Sequence, residues 1–547
     1  MISKSRTDFD DILKEIGDFG SYQKKLVAFF LIPLGIVIPW ITMNILFMVF
    51  TPNHWCSMTD NNFNDSHHQS IDSRNASNCY IKYLNDTEAL MPDEVLKSTL
   101  NVPCKTWHYE NVYFEETASS KWNMVCDRAY LASLVLTLSY AGSTIGTPIY
   151  GTLSDKIGRR PVFFLLVILS TITGVASVFV PDLTTFIVLR AINGSLMPSI
   201  YQLPYIIVLE FVGSTKRTNM NGIFNLGYTA GLCTLPLIAY FSRHWITFGL
   251  VTSLVSVPLL LYWKFLPESP RWLVSQERYN EAAVILSGIA RENGKIYDEK
   301  QLLPKLMKIA DIEHKERLEA NNSPVDLVRY PSLRRKFLII TLCWIADIFA
   351  YYGLILNVSN LSGNFFLNFF LSSIIEGPGL ICGWYCMEKY GRRWIVVIAL
   401  LLTAISCFFL VIQVGEPSYA QVISLIGKFG ASAAFFGVYQ QSSELYPTTM
   451  RLIGMGVSGA IANAGNIILP FIIYLSVINQ SIPFLIIGSI NLMAAFAAIF
   501  LPETLNETLP LTIEDAEQFG KEQTFISCCR TKTFSVTERK SKKDNTS

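Results

Sequence analysis

The sequence predicts an all-α membrane protein built as two bundles of six transmembrane helices. Three observations carry that reading. The first is composition: of 547 residues, 51% are hydrophobic and only 16% charged, with a net charge of +1 and a mean hydropathy of +0.35. A soluble globular chain does not have that balance. The second is a set of twelve apolar stretches, each long enough to cross the ~30 Å of hydrocarbon in a bilayer. The third is that the first six and the last six carry the same short motifs at a nearly constant offset.

The stretches lie near 26–50, 129–153, 161–180, 183–207, 221–241, 245–266, 337–357, 364–386, 394–414, 418–443, 452–476 and 481–501. The first is too long for the apolar core of a secretion signal and lacks a small-residue cleavage pattern. It reads as a retained helix. Lys and Arg in short loops set the orientation, because they collect on the cytoplasmic side. "SDKIGRR" (154–160), "STKR" (214–217) and "EKYGRR" (388–393) are basic, whereas the alternate loops at 357–364, 415–420 and 477–481 hold no Lys or Arg. The expected plan is a cytoplasmic N-terminus (1–25), an N-terminal bundle (26–266) containing an extracellular loop (51–128), a cytoplasmic linker (267–336), a C-terminal bundle (337–501) and a cytoplasmic tail (502–547).

The contents of the 51–128 loop fit an oxidising, glycosylating compartment. It holds Cys56, Cys79, Cys104 and Cys126, four of eleven cysteines, and sequons at Asn64, Asn75 and Asn85. Four cysteines imply two disulfides with three possible connectivities. Elsewhere the near-neutral charge argues against a nucleic-acid partner. No GxxxxGK[ST] loop, HExxH or CxxC pair is present, so phosphate cradling and metal chemistry have no motif to rest on. Neither a cofactor nor an enzyme is implied, for no nucleophile and base pair is visible.

The repeat rests on three matches. "GRR" recurs at Gly158 and Gly391, "E-x6-R" at Glu210 and Glu444, and "LPE" at Leu266 and Leu501, offsets of 233, 234 and 235. Parallel six-helix repeats joined by a long linker describe a major facilitator architecture, in which two halves rock around a site near the bilayer midplane. Asp155, Arg159 and Arg160 stand where they can pair with Glu210 or Glu268, and such pairs latch one face shut. The expected gating set extends to Arg217, Arg271, Arg392, Arg393, Glu444 and Arg451.

"GTLSDKIGRR" (151–160) resembles the major facilitator signature after the second helix, and "PESPRWL" (267–273) the signature after the sixth. With "ELYPTTMR" (444–451) and the cysteine-bearing first loop, residues 10–505 resemble the organic cation, carnitine and organic anion transporter family. The resemblance implies a polyspecific carrier working by alternating access. It also implies that the eighth and eleventh spans set charge preference. Cation members place an aspartate, and anion members an arginine, where Asn463 stands; anion members carry a lysine where Leu380 stands. Both basic anion determinants are missing. "GKFGASAAF" (427–435), with Lys428, resembles carnitine-type members.

Charges inside the spans nominate the site, since a carboxylate at mid-bilayer costs roughly 2.5–3.5 kcal/mol on insertion scales and asks for a partner or a task. In "CWIADIFAYYG" (343–353), helical spacing puts Trp344, Asp347, Ile348 and Tyr351 on one face. That stripe is expected to face the central cavity and hold a cation between rings and carboxylate. Glu376 precedes Gly377 and Pro378, where a kink is expected. Lys428 is expected mainly to neutralise Glu376 or Asp347, with a substrate carboxylate as its alternative partner, and Arg190 either to serve coupling or structural support of the cavity or to cap carbonyls near Gly194. Tyr201, Tyr205, Phe224, Tyr228, Gln440 and Gln441 are candidate lining. The leading expectation is a plasma-membrane carrier of small organic cations or carnitine-like zwitterions, coupled or not to sodium or protons. Its alternatives are an organic anion or sugar-type carrier, or a non-transporting receptor or scaffold.

Overall fold

The computed structural model describes residues 9–57, 79–84, 99–213, 216–319, 323–361, 363–412, 417–447 and 450–505, then 507, 510, 512–521 and 523. Among the described residues eleven helical segments are long and apolar enough to span a membrane: Ser21–Met48, Cys126–Ile157, Arg159–Val178, Leu183–Phe211, Asn219–Ser242, Trp245–Lys264, Pro331–Ser359, Phe365–Tyr390, Arg392–Ile412, Tyr419–Leu445 and Arg451–Val477. The twelfth, Ile482–Ala498, is an apolar helix of 17 residues, which rise ~25 Å. These are numbered here as the first to twelfth spans.

Local chemistry explains the breaks. The fourth span starts where the Asp182 carboxylate accepts the Thr185 N–H at 2.7 Å, a side-chain cap. The eighth is interrupted between Ile374 and Glu376, because Pro378 has no N–H for the Ile374 carbonyl. The expected kink therefore lies directly before Glu376.

Each half has its own core. One apolar cluster joins the first half to the linker, from Phe9 to Ile309, and another runs through the second half from Leu327 to Ala516. A third crosses between halves, at the end that carries the 51–128 loop. There Phe47 packs on Phe365 and Phe369 at 5.3 and 4.8 Å, and Phe50 on Phe365 at 4.4 Å. The Tyr113 hydroxyl donates to the Gly363 carbonyl (3.0 Å), and that of Thr137 to the Ile467 carbonyl (3.1 Å). At the opposite, linker end every described ion pair stays within one half. The halves are thus packed together at the loop end.

In the loop domain, β1 (His54–Cys56) pairs antiparallel with β4 (Trp107–Tyr109), and β2 (Tyr80–Leu84) with β3 (Thr99–Pro103). Of the three open connectivities the structure selects Cys56–Cys104 and Cys79–Cys126. Asn64, Asn75 and Asn85 lie outside the described residues.

Two ordered straps flank the bundles. The helix Phe9–Ile16 buries Phe9, Ile12, Leu13 and Ile16 against the linker. Its Asp10 carboxylate meets both Arg217 (2.6 Å) and Arg271 (3.1 Å). Glu15 takes bonds from Lys305 at 2.5 Å and from the Tyr297 hydroxyl. These donors, Lys305 first, hold the Glu15 carboxyl below its usual range, and Glu15 in turn raises Lys305. The other is the helix Ile513–Gln518 beyond the twelfth span, at whose C-terminal end the carbonyls of Ala516 (2.6 Å) and Phe519 (2.7 Å) accept from Lys336 of the seventh span.

Candidate functional site

The repeated motifs build one device twice. Gly158 (φ +118°) and Gly391 (φ +100°) turn the chain between consecutive spans in a conformation open to glycine. Each releases the N-terminus of the next helix towards a carboxylate. Glu268 accepts from the N–H of Arg159 (3.1 Å) and Arg160 (3.3 Å); Glu503 accepts from Arg392 (2.8 Å) and Arg393 (3.1 Å). An anion at a helix N-terminus is favoured by the orphan donors and the dipole together. Around the turns, Arg159 pairs with Asp155 (3.1 Å) and Glu210 (3.6 Å), and Arg392 with Glu444 (3.2 Å). The Arg160 guanidinium donates to the Trp263 carbonyl, and Arg393 to that of Leu501.

Several expected gating residues stand elsewhere. Arg217 and Arg271 turn to Asp10 on the N-terminal strap. Two buried guanidinium nitrogens of Arg451 have no hydrogen-bond partner among the described residues. Gln440, expected as cavity lining, donates to Glu444 at 2.6 Å and belongs to the latch instead. Glu503 was missed, although "LPE" signalled it: Glu503 in the second copy occupies the place of Glu268 in the first.

The second half holds the charged centre. The Tyr351 hydroxyl donates to both oxygens of Glu376 (2.9 and 3.1 Å), and the Lys428 ammonium lies 3.6 Å from Glu376. The same ammonium sits 3.1 Å from the centroid of the Tyr351 ring. Glu376 faces the first half, with Leu226 and Thr229 of the fifth span beside Gly377. On the same span as Leu226 and Thr229, Tyr228 packs edge-on against Tyr201 of the fourth span at 5.8 Å. Behind them Phe224 is fully buried between Tyr201 (5.0 Å) and Tyr205 (5.5 Å), as packing that fixes those rings.

The expected cation cage is corrected by this geometry. Asp347 is 0% exposed, and neither of its oxygens has a hydrogen-bond partner among the described residues. The ring face of Tyr351 is occupied by the protein's own Lys428, while Trp344 packs edge-on against Phe435 and Tyr439 of the tenth span. The stripe therefore turns inward, towards the tenth span, rather than to an open cavity, because helix packing inside the bundle claims its aromatic face. Gln441 is fully buried, with neither side-chain polar atom bonded among the described residues, and Asn463 is exposed on the eleventh span outside this cluster. Among the described residues the Arg190 guanidinium donates to no carbonyl near Gly194; it reaches the Asn44 side chain (3.3 Å) and the Met48 sulfur (2.6 Å), with the Phe186 ring at 5.5 Å.

Two pseudo-symmetric bundles around a buried charged centre, closed at one end, define a membrane transporter of the alternating-access kind. The sugar (and other) transporter family model matches residues 97–514. Organic cation transporter 1 of Caenorhabditis elegans is 34% identical over 94% of this chain and 89% of its own length. The carcinine transporter of Drosophila melanogaster is 33% identical over 96% and 81%, and human organic cation/carnitine transporter 2 is 30% identical over 93% of both. The inward open conformation of the xylose transporter XylE from E. coli shares the fold, with a TM-score of 0.57 and 19% identity, over 75% of this chain and 93% of that one. The chain belongs to the sugar (and other) transporter family, in its solute carrier 22 branch of organic cation and carnitine carriers.

Proposed function

We propose that this protein carries small ammonium-bearing solutes, organic cations or carnitine-like zwitterions, across the plasma membrane. Its termini and linker are cytoplasmic and its disulfide-tied loop extracellular. The observation that carries the substrate class is the charge of the centre: two carboxylates, Glu376 and Asp347, against one lysine, Lys428, each at most 5% exposed. Such a centre attracts a positive solute, and the relatives named for organic cations and carnitine point the same way. Glu376 is the counter-charge, because it takes the Tyr351 hydroxyl and is followed by Gly377, where Leu226 and Thr229 of the first half approach. On this reading the substrate ammonium displaces Lys428 from the Tyr351 face. The motion is a rocking that opens the Phe47–Phe365 packing as the linker end latches.

Uptake of labelled tetraethylammonium, a labelled hexose and a labelled organic anion by cells expressing the protein tests the class. The ammonium should enter, and Glu376→Gln at equal surface expression should abolish it. Uptake of the hexose or anion alone would overturn the proposal.

A further inference from the structure

We infer that Asp347 is a proton site, and that the carrier exchanges one proton for one substrate cation. The inference rests on the cation-carrier reading above and deepens it by naming the coupling ion.

Glu376 and Asp347 occupy the same bundle but very different surroundings. Glu376 has the Lys428 ammonium at 3.6 Å and two contacts from the Tyr351 hydroxyl. Asp347 is wholly enclosed, and no donor bonds either of its oxygens among the described residues. Burying an ionised carboxylate without hydrogen bonds is far more costly than burying the neutral acid. One lysine serves two acids and stands against Glu376, so the proton resides on Asp347. A hard metal cation asks for several oxygen ligands, whereas the stripe around Asp347 supplies indole, phenol ring and aliphatic groups.

The facing groups do not alter this. The tenth span brings Lys428 to the cluster and the Tyr439 ring against Trp344, and Glu444 on the same helix is engaged in the latch. The twelfth span has no titratable side chain, and its Asn491 amide donates to the Ala346 and Ile487 carbonyls. Arg451 of the eleventh span and Arg392 and Arg393 of the ninth stand at the starts of their helices, and Tyr474 near the end of the eleventh. The acids Glu514, Asp515 and Glu517 belong to the tail helix beside the start of the seventh. On the seventh span itself Cys343 and Tyr351 neighbour Asp347 by helical spacing.

Charge balance then sets the cycle. With both acids and the lysine ionised the centre carries −1; one proton makes it neutral, and so does one bound ammonium. When the substrate cation reaches Glu376, the O–H bond of Asp347 breaks and its proton leaves to the water on the open side. When the cation departs, a proton from that side's water restores the acid. The exchange moves no net charge for a monovalent cation.

Purified protein reconstituted in liposomes tests this in sodium-free potassium buffers, with valinomycin holding the potential at zero and the interior one pH unit more acidic. Labelled tetraethylammonium should accumulate about tenfold inside, since one proton leaves per cation entering and one pH unit is tenfold in equilibrium. Asp347→Asn should equilibrate it at a ratio of one, and Asp347→Glu should restore accumulation. Wild-type protein that carries the cation but equilibrates it at one, or Asp347→Asn that still concentrates it, overturns the inference while leaving the cation reading standing. Infrared difference spectra of the full-length protein in lipid need no substrate. At neutral pH they should show the carbonyl stretch of a protonated, unbonded carboxyl that is lost in Asp347→Asn and restored in Asp347→Glu. Absence of that band overturns the inference even if no ammonium is carried.

Discussion

Gly391→Ala should be among the most damaging single-methyl changes in this protein. Gly391 has φ +100° and ψ 163°, a region nearly exclusive to glycine, where another residue costs ~1–3 kcal/mol. An added Cβ would also stand 2.5 Å from Glu503 Oε2 and 2.8 Å from its carboxyl carbon. Glu503 would have to withdraw from the Arg392 and Arg393 N–H groups, and losing a helix N-cap costs ~0.5–2 kcal/mol. The two effects together come to roughly 1.5–5 kcal/mol. At about 2–4 °C per kcal/mol for a unit the size of one bundle, thermal unfolding of the protein in lipid nanodiscs should drop by roughly 3–20 °C. Gly158→Ala should behave alike, with φ +118° and Glu268 Oε2 at 2.5 Å from the new Cβ. Gly288→Ala is the control: it lies inside the helix Tyr279–Glu292 with open space around its Cβ, and should be neutral or slightly stabilising. If Gly391→Ala melts with wild type while its helix N-terminus stays protected from hydrogen exchange, the carboxylate-capped turn is not the element that holds the latch.

Peptide mapping of unreduced protein by mass spectrometry should recover Cys56–Cys104 and Cys79–Cys126; a 56–79 or 56–126 linkage would contradict the loop domain. Enzymatic deglycosylation of surface protein should increase its mobility, with a smaller shift after Asn64, Asn75 and Asn85 are replaced; no shift would argue against an extracellular loop. Replacing Arg159 should slow transport several-fold at equal expression with substrate affinity retained, because it pairs with Asp155 and Glu210 rather than with the centre. The contact between Glu15 and Lys305 should depend on pH in both directions. The lowered Glu15 contributes above its unfolded value and is lost as pH falls through its folded one; the raised Lys305 contributes below its unfolded value and is lost as pH rises through its folded one. Hydrogen exchange of residues 9–16 should be slowest between those limits, quicken in high salt, and be fast at neutral pH in Glu15→Gln. A profile flat with pH would remove Glu15 from the strap.

The sequence by itself determined the spans, the repeat and the paired latch motifs. Hydrophobic length, loop charge and motif spacing are local properties, written along the chain whatever it packs against. It also singled out Glu376, Lys428 and Asp347, because an ionised group in an apolar run stands out wherever it points. Tertiary structure alone decided which charge meets which. A helical stripe such as Trp344, Asp347 and Tyr351 has a direction only once the helix is rotated against its neighbours, and that rotation turned the stripe to the tenth span and gave Lys428 to Tyr351 and Glu376. The pairing of Asp10 with Arg217 and Arg271 spans more than two hundred residues, a separation at which no periodicity carries information. The disulfide connectivity was likewise open until the β1–β4 and β2–β3 pairings brought particular sulfurs together. Local patterns specify elements, whereas the partners of a buried charge are set by the three-dimensional packing of those elements, where desolvation leaves each group only the neighbours within a few ångströms.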